Sequence, residues 1–516
     1  MRVTNKHSLS TLLVGMLTDP SMLTNLTVTD LTLDSRKVGA GSLFISLSVD
    51  KHQSIEYLKQ ALTSGATAVL YEAKQALSKQ ATLALEQANV MAFPIKSLAS
   101  KVSEIAARFY RHPSLAMTII AVTGTNGKTS VSQFIAQGLE FLEQPCGVIG
   151  TLGIGRIGNL HETGMTTPDP INLQAILAEF CRQSIKYVVI EASSHALEQG
   201  RLNSVDIDVA VLTNLSRDHL DYHKDMASYA AAKQRLFDME NIRVAIINSD
   251  DEFGKLLIST LAKRKNLTVM TYSSQNNNTA TLQACTVNLT TDGVDFLLAG
   301  ELASSAIQSR LLGRFNVDNL LATAASLLAI DVSFNDAVKA LIQCHAIDGR
   351  MQAYGGKNQP YIVIDFAHSP DALEQALKSL RVHLSGDGQL WCVFGCGGNR
   401  DTGKRHIMGH IADLYADRIV ITADNPRTEA PEAIVTQILS EIKQQEKVYI
   451  EHDRQLAITY AISHAKKIDI VLVAGKGHEQ YQEIAGVKHA FNDAVVVNHI
   501  LQEANDPKQV LQRDKS

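Results

Sequence analysis

The sequence predicts an α/β protein of three domains: a smaller α/β domain at the N-terminus, a central P-loop-type domain built on a parallel sheet, and a C-terminal Rossmann-like domain. Three observations lead there. The chain has 516 residues, and a domain usually takes about 100–200. Short β-runs alternate with amphipathic helices, the pattern of parallel α/β sheets. Polar motifs recur at the carboxyl ends of the β-runs, where such sheets form their ligand crevices.

In residues 1–113, Leu43–Leu47 and Ala68–Tyr71 read as strands, and Ile55–Leu62 as a helix that stops at Ser64-Gly65. A polar, Ala/Gln-rich helix follows, then another that ends at Arg111-His112-Pro113, where proline marks a boundary. The second domain, 114–346, opens on the strand Met117–Val122. After a glycine loop, Val131, Phe134, Ile135, Leu139 and Leu142 keep helical spacing. The stretch Asn276–Gly300 alternates Thr, Val and Leu, as antiparallel β does. The third domain, 347–516, holds the β-runs Tyr361–Ile364, Leu390–Phe394, Arg418–Thr422, Val448–Ile450 and Ile468–Ala474. No internal repeat is visible.

Composition narrows the function. Hydrophobic residues make up 45% and charged residues 20% of the chain, which suits a globular protein and excludes a disordered one. A net charge of −5 gives no general attraction to nucleic acid or anionic membrane. A local anion site remains open, because it needs only a few N–H groups and one lysine. The 6 cysteines are scattered, and Cys392 and Cys396 lack a second pair to complete a zinc site; buried thiols in a reducing compartment are expected. No run approaches the roughly 20 apolar residues that span a bilayer, and the apolar Leu9–Leu17 is followed by no cleavage pattern. The expectation is a cytoplasmic monomer without membrane insertion.

Gly124-Thr125-Asn126-Gly127-Lys128-Thr129-Ser130 lies between a strand and a helix. Its glycines let N–H groups approach phosphate oxygens, the helix N-terminus adds positive potential and Lys128 supplies a cation. Thr129 or Ser130 is placed to offer a hydroxyl to Mg²⁺. The general G-x-x-x-x-G-K-[ST] pattern would require glycine where Val122 stands. Nucleotide binding is nonetheless the expectation, against a plain glycine turn. Glu191, at the end of the strand Tyr187–Ile190, is a candidate hard ligand for Mg²⁺, and so is His219 within Arg217-Asp218-His219-Leu220-Asp221-Tyr222-His223.

Taken in order, Leu33-Asp34-Ser35-Arg36, the phosphate loop, Thr166-Thr167-Pro168, Glu191–His195, Thr213–His223 and Gly313-Arg314-Phe315-Asn316 with Asn319 form the first half of a specific set. Gly349-Arg350-Met351, Asp365–Asp371, Gly395–Arg405, Asp424–Arg427 and Gly475–Glu479 complete it. The set resembles the Mur ligase family, ATP-dependent peptide-bond-forming enzymes of peptidoglycan synthesis, in the branch that adds the third residue. The family's shorter glycine loop accounts for the position of Gly124.

The resemblance implies a chemistry. ATP phosphorylates a substrate carboxylate, an amine attacks the acyl phosphate, and phosphate leaves. Gly124 through Ser130 would hold ATP, with Asn316 and Asn319 on the adenine side. Thr129 or Ser130 and Glu191 would hold one Mg²⁺, with His219 near a second. Lys233 falls on a lysine that the family carbamylates, which would make it an anionic donor to that second ion. Lys128, Lys233, His219 and Glu191 are thus the catalytic candidates.

The resemblance also implies the substrates. Leu33, Ser35, His52, Gln53 and Ser54 fall on positions that hold the UDP moiety, although Lys51 stands where the family commonly has glycine. Thr166, Thr167, Ser193, Gln199 and Arg201 fall on positions that contact the muramoyl dipeptide of UDP-MurNAc-L-Ala-D-Glu. Asp424-Asn425-Pro426-Arg427 resembles the signature of the branch that uses meso-diaminopimelate. That amino acid differs from lysine by a distal carboxylate, and an arginine can clamp a carboxylate bidentately. The family match adds Arg400 for that carboxylate, with Gly475 and Glu479 near the distal ammonium. A hinge is expected near His345–Arg350. The rivals are a folylpolyglutamate synthetase, which shares the acyl-phosphate logic but not the first domain, and an ATP-driven switch, which would leave the amine motifs without purpose.

Overall fold

The computed structural model describes residues 6–17, 26–47, 51–75, 77–161, 163–275, 279–290, 293–356, 359–384 and 386–504, without the side chains of residues 51, 52, 220, 221, 503 and 504. By internal packing the chain divides into two compact units, residues 1–272 with 322–333, and 273–321 with 334–516.

Beside the short antiparallel pair His7–Ser8 with Thr27–Val28, the first unit contains two larger sheets. Asp30–Thr32, Ser42–Ser46, Ala68–Glu72 and Met91–Ile95 make a parallel four-stranded sheet in that order. Side-chain alternation decides its two faces: Leu43 and Ile45 join a core with Phe93, Leu98, Val102 and Ile105. Phe44 and Val69 turn the other way, onto Leu58, Ala61 and Leu85. The strand Met91–Ile95 was not foreseen. It carries Pro94 on the sheet edge, where a residue that cannot donate a ladder bond is tolerated.

The parallel part of this unit's larger sheet runs Cys146–Gly150, Tyr187–Glu191, Thr118–Thr123, Val209–Leu212, Val244–Asn248 and Thr268–Ser273, and Gly153–Arg156 and Asn159–His161 extend it antiparallel beyond Cys146–Gly150. Thr118–Thr123 comes first in the chain and sits third in this order, between Tyr187–Glu191 and Val209–Leu212. The chain therefore winds away from it to both sides. Such a switch point opens a crevice at the carboxyl ends of the strands, and the phosphate loop, Glu191–His195 and Thr213–His219 all emerge there.

In the second unit, Leu282–Thr290, Gly293–Gly300 and Ser304–Ser309 form an antiparallel meander, the β character expected for Asn276–Gly300 with one further strand. A six-stranded sheet follows in the order Gln352–Gly355, Tyr361–Asp365, Ile470–Ala474, Leu390–Phe394, Arg418–Ile421, Val448–Ile450. Its first strand is antiparallel and the others pair in parallel. Leu390, Cys392 and Phe394 face one core, Trp391 and Val393 the other. A hairpin, Tyr481–Ile484 with Val487–Ala490, was absent from the sequence reading.

The cysteines depart in part from expectation: Cys146, Cys344, Cys392 and Cys396 are buried, but Cys181 is exposed and Cys285 half-buried. Among the described residues, no helix is long and apolar enough to cross a membrane.

Candidate active site

Helix Lys128–Phe141 starts directly after Gly127, whose φ of 84° is left-handed and which has no side chain to cap the helix. The first N–H groups of the helix and the aligned dipole form a ready anion site. The loop ahead of it is fixed by the neighbouring strand end. Asn214 Oδ1 accepts the Asn126 N–H at 2.9 Å, Thr125 N–H donates to Asn214 O at 2.9 Å, and Thr213 Oγ1 donates to Asn126 O at 2.6 Å. Gly124 is required by this closeness, since a Cβ there would lie 1.9 Å from Thr213 Oγ1. Lys128 Nζ bends back over the loop to Gly124 O and Thr125 O, each at 2.8 Å. Thr213 and Asn214 belong to a motif the sequence displayed, but their role as latches did not show there.

Glu191 is fully buried at its strand end. Its Oε2 accepts the hydroxyls of Thr129 at 2.9 Å and Thr151 at 3.0 Å, and its Oε1 accepts the Thr151 N–H at 3.0 Å. Gly150 leaves room for it, as a Cβ there would sit 2.1 Å from Oε1. A buried carboxylate beside the first-turn hydroxyl of a phosphate loop is an oxygen donor pair of the kind that suits Mg²⁺ shared with phosphates. Ser130 is half-buried, and of the two candidates Thr129 is the one on Glu191. His219, in left-handed conformation at φ 52°, lies with its Nε2 3.4 Å from Asp218 Oδ2 and its ring 5.2 Å from that of His195.

Lys233, which composition alone would send to the surface, is 1% exposed on helix Met226–Phe237. Its Nζ donates to Gly124 O at 2.7 Å and lies 4.4 Å from the Tyr229 ring centroid. Burial, then the nearby Lys128 charge, hold its amine well below the ordinary lysine value, with Asp218 pulling the other way. The helix is tied to the phosphate loop by the 3.2 Å contact of Tyr229 Oη with Thr125 Oγ1.

The residues expected at the dipeptide converge beside Glu191. Thr166 Oγ1 lies 3.1 Å from Thr151 Oγ1. Thr167 Oγ1 donates to Glu191 O at 2.6 Å and lies 3.1 Å from Ser193 Oγ. Arg201 donates to Thr167 O at 2.6 Å and grips Gln199 Oε1 through Nε and Nη2. Ser35 donates to Gln60 Oε1 at 2.7 Å. Leu33 lines a cleft of about 1530 Å³ between the first sheet and helix Pro170–Arg182, which Met165 and Asp169 also line. That volume is ample for a nucleotide-linked sugar. Gln53 and Ser54 lie on helix Lys51–Thr63; the side chain of His52 lies outside the described residues.

In the second unit, the four strand ends Asp365, Ala474, Phe394 and Ile421 are adjacent. Asn425 Nδ2 donates to Glu479 Oε2 at 2.9 Å, and Lys476 Nζ donates to the same oxygen at 2.7 Å and to Asn425 Oδ1 at 3.2 Å. Lys476 is fully buried and lies 3.8 Å from Asp424 Oδ1, an oxygen without a hydrogen-bond partner among the described residues. Burial pushes the Asp424 carboxyl above its ordinary value, while Arg454 and Lys476 pull it back. Gly475 approaches from the next loop; a Cβ on it would be 3.5 Å from Asp424 Oδ2.

Arg427, also left-handed at φ 53°, donates from Nη1 to Gly398 O at 2.7 Å, with Nε 3.4 Å from Glu483 Oε2. Pro426 precedes it in contact with the Gly398 loop, and Arg400 is exposed on that same loop. Lys476 and Glu483 escaped the sequence reading. The first had its signal in Gly-Lys-Gly-His-Glu, the second none. Asn316 and Asn319 are buried at the start of helix Phe315–Ala329, joined by a 2.9 Å bond from Asn319 Nδ2 to Asn316 Oδ1.

Three family models match the chain: the Mur ligase family catalytic domain over residues 27–110, the Mur ligase middle domain over 122–327, and the Mur ligase glutamate ligase domain over 349–477. The UDP-N-acetylmuramoyl-L-alanyl-D-glutamate–2,6-diaminopimelate ligase of Pseudomonas putida is 43% identical over 471 residues, covering 90% of this chain and 93% of its own. The protein of the same name in Xanthomonas campestris is 45% identical over 487 residues, covering 94% and 96%. A solved structure of a ligase so named superposes with a TM-score of 0.72 at 37% identity, covering 97% of this chain and 99% of that one.

Proposed function

The chain belongs to the Mur ligase family, and on that premise we propose that it is an ADP-forming ligase that joins meso-2,6-diaminopimelate to the D-glutamate of UDP-MurNAc-L-Ala-D-Glu. One observation carries the choice of amine: a guanidinium and two carboxylates, Arg427 with Asp424 and Glu479, stand on adjoining strand-end loops. That arrangement suits an amino acid whose far end bears both a carboxylate and an ammonium.

A substrate carboxylate oxygen attacks the γ-phosphorus of ATP and ADP leaves, giving an acyl phosphate. The amine nitrogen then bonds to the acyl carbon, a proton leaves the nitrogen, and the carbon–oxygen bond to phosphate breaks. Lys128 and the N-terminus of helix Lys128–Phe141 would neutralise charge on the transferring phosphoryl group. Thr129 and Glu191 would hold Mg²⁺, which when bound screens the phosphate oxygens. Thr167, Ser193 and Arg201 would orient the dipeptide, and Arg400 and Arg427 the distal carboxylate of the amine. Such an enzyme works in the cytoplasm, where ATP is available.

Release of phosphate tests this reading. It should require ATP, UDP-MurNAc-L-Ala-D-Glu and meso-diaminopimelate together; ATP turnover with neither partner present would point to a switch instead.

Lys233 is part of the same reading. Its buried amine, biased toward the neutral form, is fit to add to CO₂ with loss of a proton, giving a carbamate whose oxygens, with His219, would be available to hold a second Mg²⁺. Lys233→Ala is expected to lose at least ~10²-fold in kcat, the scale set by removing one charge-stabilising group, and to recover in part with small carboxylates. Mass spectrometry that finds a bare amine in fully active enzyme would refute the carbamate.

A further inference from the structure

Arg405 has no exposed surface, although it sits in the first turn of helix Gly403–Tyr415. A buried guanidinium is costly unless its donors are largely met; here both Nη groups find partners, on two loops and on helix Pro431–Leu439, while Nε has none among the described residues. Nη1 donates to Glu429 Oε1 at 2.6 Å and Nη2 to Glu429 Oε2 at 2.8 Å, a bidentate pair. Nη2 also donates to Gly397 O at 3.0 Å, and Nη1 to Gln437 Oε1 at 3.0 Å. Glu429 Oε2 in turn accepts the Asn399 N–H at 3.0 Å.

Around this pair the two loops are zipped together. Gly398 N–H donates to Asn425 O at 2.9 Å. Asn399 Oδ1 accepts from Thr428 N–H at 3.2 Å and from Thr428 Oγ1 at 2.9 Å. A Cβ on Gly398 would lie 2.0 Å from Pro426 O, so the backbones are already in contact. One loop carries Arg400 and the other Arg427.

We infer that Arg405 and Glu429 are positioning residues for the amine substrate, fixing the spacing between Arg400 and Arg427 so that both guanidinium groups meet one distal carboxylate. Neither is placed here among the groups that bind substrate. The inference rests on the proposed function, and it adds to the substrate-binding groups the ion pair that sets their distance. Lysine in place of Arg405 would keep the charge and lose the fork that reaches both loops. A clamp misplaced by about 1 Å costs on the order of 10²-fold. The Arg405 guanidinium holds the Glu429 carboxyl down at about 2, so the pair is charged at any working pH.

The test compares wild type, Arg405→Lys, Glu429→Gln and the double variant with all three substrates. Glu429→Gln is the milder change, because its amide oxygen still accepts from Asn399 or Arg405. Each single variant is expected to raise KM for meso-diaminopimelate by at least ~10-fold, with KM for ATP and for UDP-MurNAc-L-Ala-D-Glu within about twofold of wild type. The double variant should be no worse than the poorer single one, as coupled residues behave. An unchanged KM for diaminopimelate in Glu429→Gln would overturn the inference, as would a fall in kcat/KM of equal size for all three substrates. Loss of cooperative melting in both single variants would also overturn it, since the pair would then be a determinant of the fold. Failure of wild type to use diaminopimelate at all would sink the functional reading instead, and the two results are distinct.

Discussion

Lys128→Ala will abolish ligation while leaving a folded protein. The ammonium is held over the phosphate loop by two carbonyl contacts of 2.8 Å, to Gly124 and Thr125, at the point where the helix N-terminus already concentrates positive potential. A phosphoryl group in transfer gathers negative charge there, and loss of one such stabilising group costs on the order of 10²–10³-fold in kcat. The variant should add a second loss. The Lys128 charge contributes to holding the Lys233 amine low; without it, less of that amine is neutral and less is free to form a carbamate. Stability should change little, because position 128 is half-buried in the first turn and alanine is a good helix former. Phosphate release and thermal melting, measured side by side, decide the matter: full activity in a well-folded Lys128→Ala protein would remove the loop from the reaction.

What the sequence made legible was what repeats in short range. Apolar runs such as Val188–Ile190 and Val471–Val473 declare buried parallel strands because both faces are covered. Polar motifs at their ends declare crevices because the sheet topology leaves them nowhere else to be. Met91–Ile95 stayed hidden because proline and an Ala-rich neighbourhood mask an edge strand. Val487–Ala490 stayed hidden because it is exposed throughout and has no buried face to show as alternation.

In the site, residues that act through distant partners were illegible for a related reason. Thr151 matters only because Glu191, 40 positions away, needs a donor. Arg405 matters because Glu429, 24 positions away, faces it. Burial of the Lys476 ammonium is tolerable only with Asn425, Glu479 and Asp424 around it. Pairings of this kind depend on which loops the strand order makes adjacent, and that order is not written in any local stretch of residues.

Arg427→Ala should collapse the discrimination between meso-diaminopimelate and lysine. The guanidinium is held at two corners, Nη1 by Gly398 O at 2.7 Å and Nε by the Glu483 carboxylate at 3.4 Å. Its backbone N–H is fixed to Glu483 O at 3.0 Å. At 24% exposure the group is sheltered enough for a charged hydrogen bond to count and open enough for a ligand to reach it. Hydrogen bonds to charged groups contribute about 1.5–3 kcal/mol each. Removal of a bidentate partner, two such bonds, therefore predicts a loss on the order of 10²–10⁴-fold in kcat/KM for diaminopimelate. Lysine has no distal carboxylate to lose a partner, so its slow use should scarcely change, and neither should KM for ATP or UDP-MurNAc-L-Ala-D-Glu. The left-handed backbone at φ 53° supplies a control. A non-glycine residue in that region costs on the order of 1 kcal/mol, so Arg427→Gly relieves strain while Arg427→Ala keeps it. If the side chain is what selects the amine, both variants lose discrimination alike. Arg427→Lys, with a charge but no fork, should fall between them and wild type. A ratio of diaminopimelate to lysine turnover that stays at the wild-type value in Arg427→Gly would show that selectivity lies in other groups of the pocket.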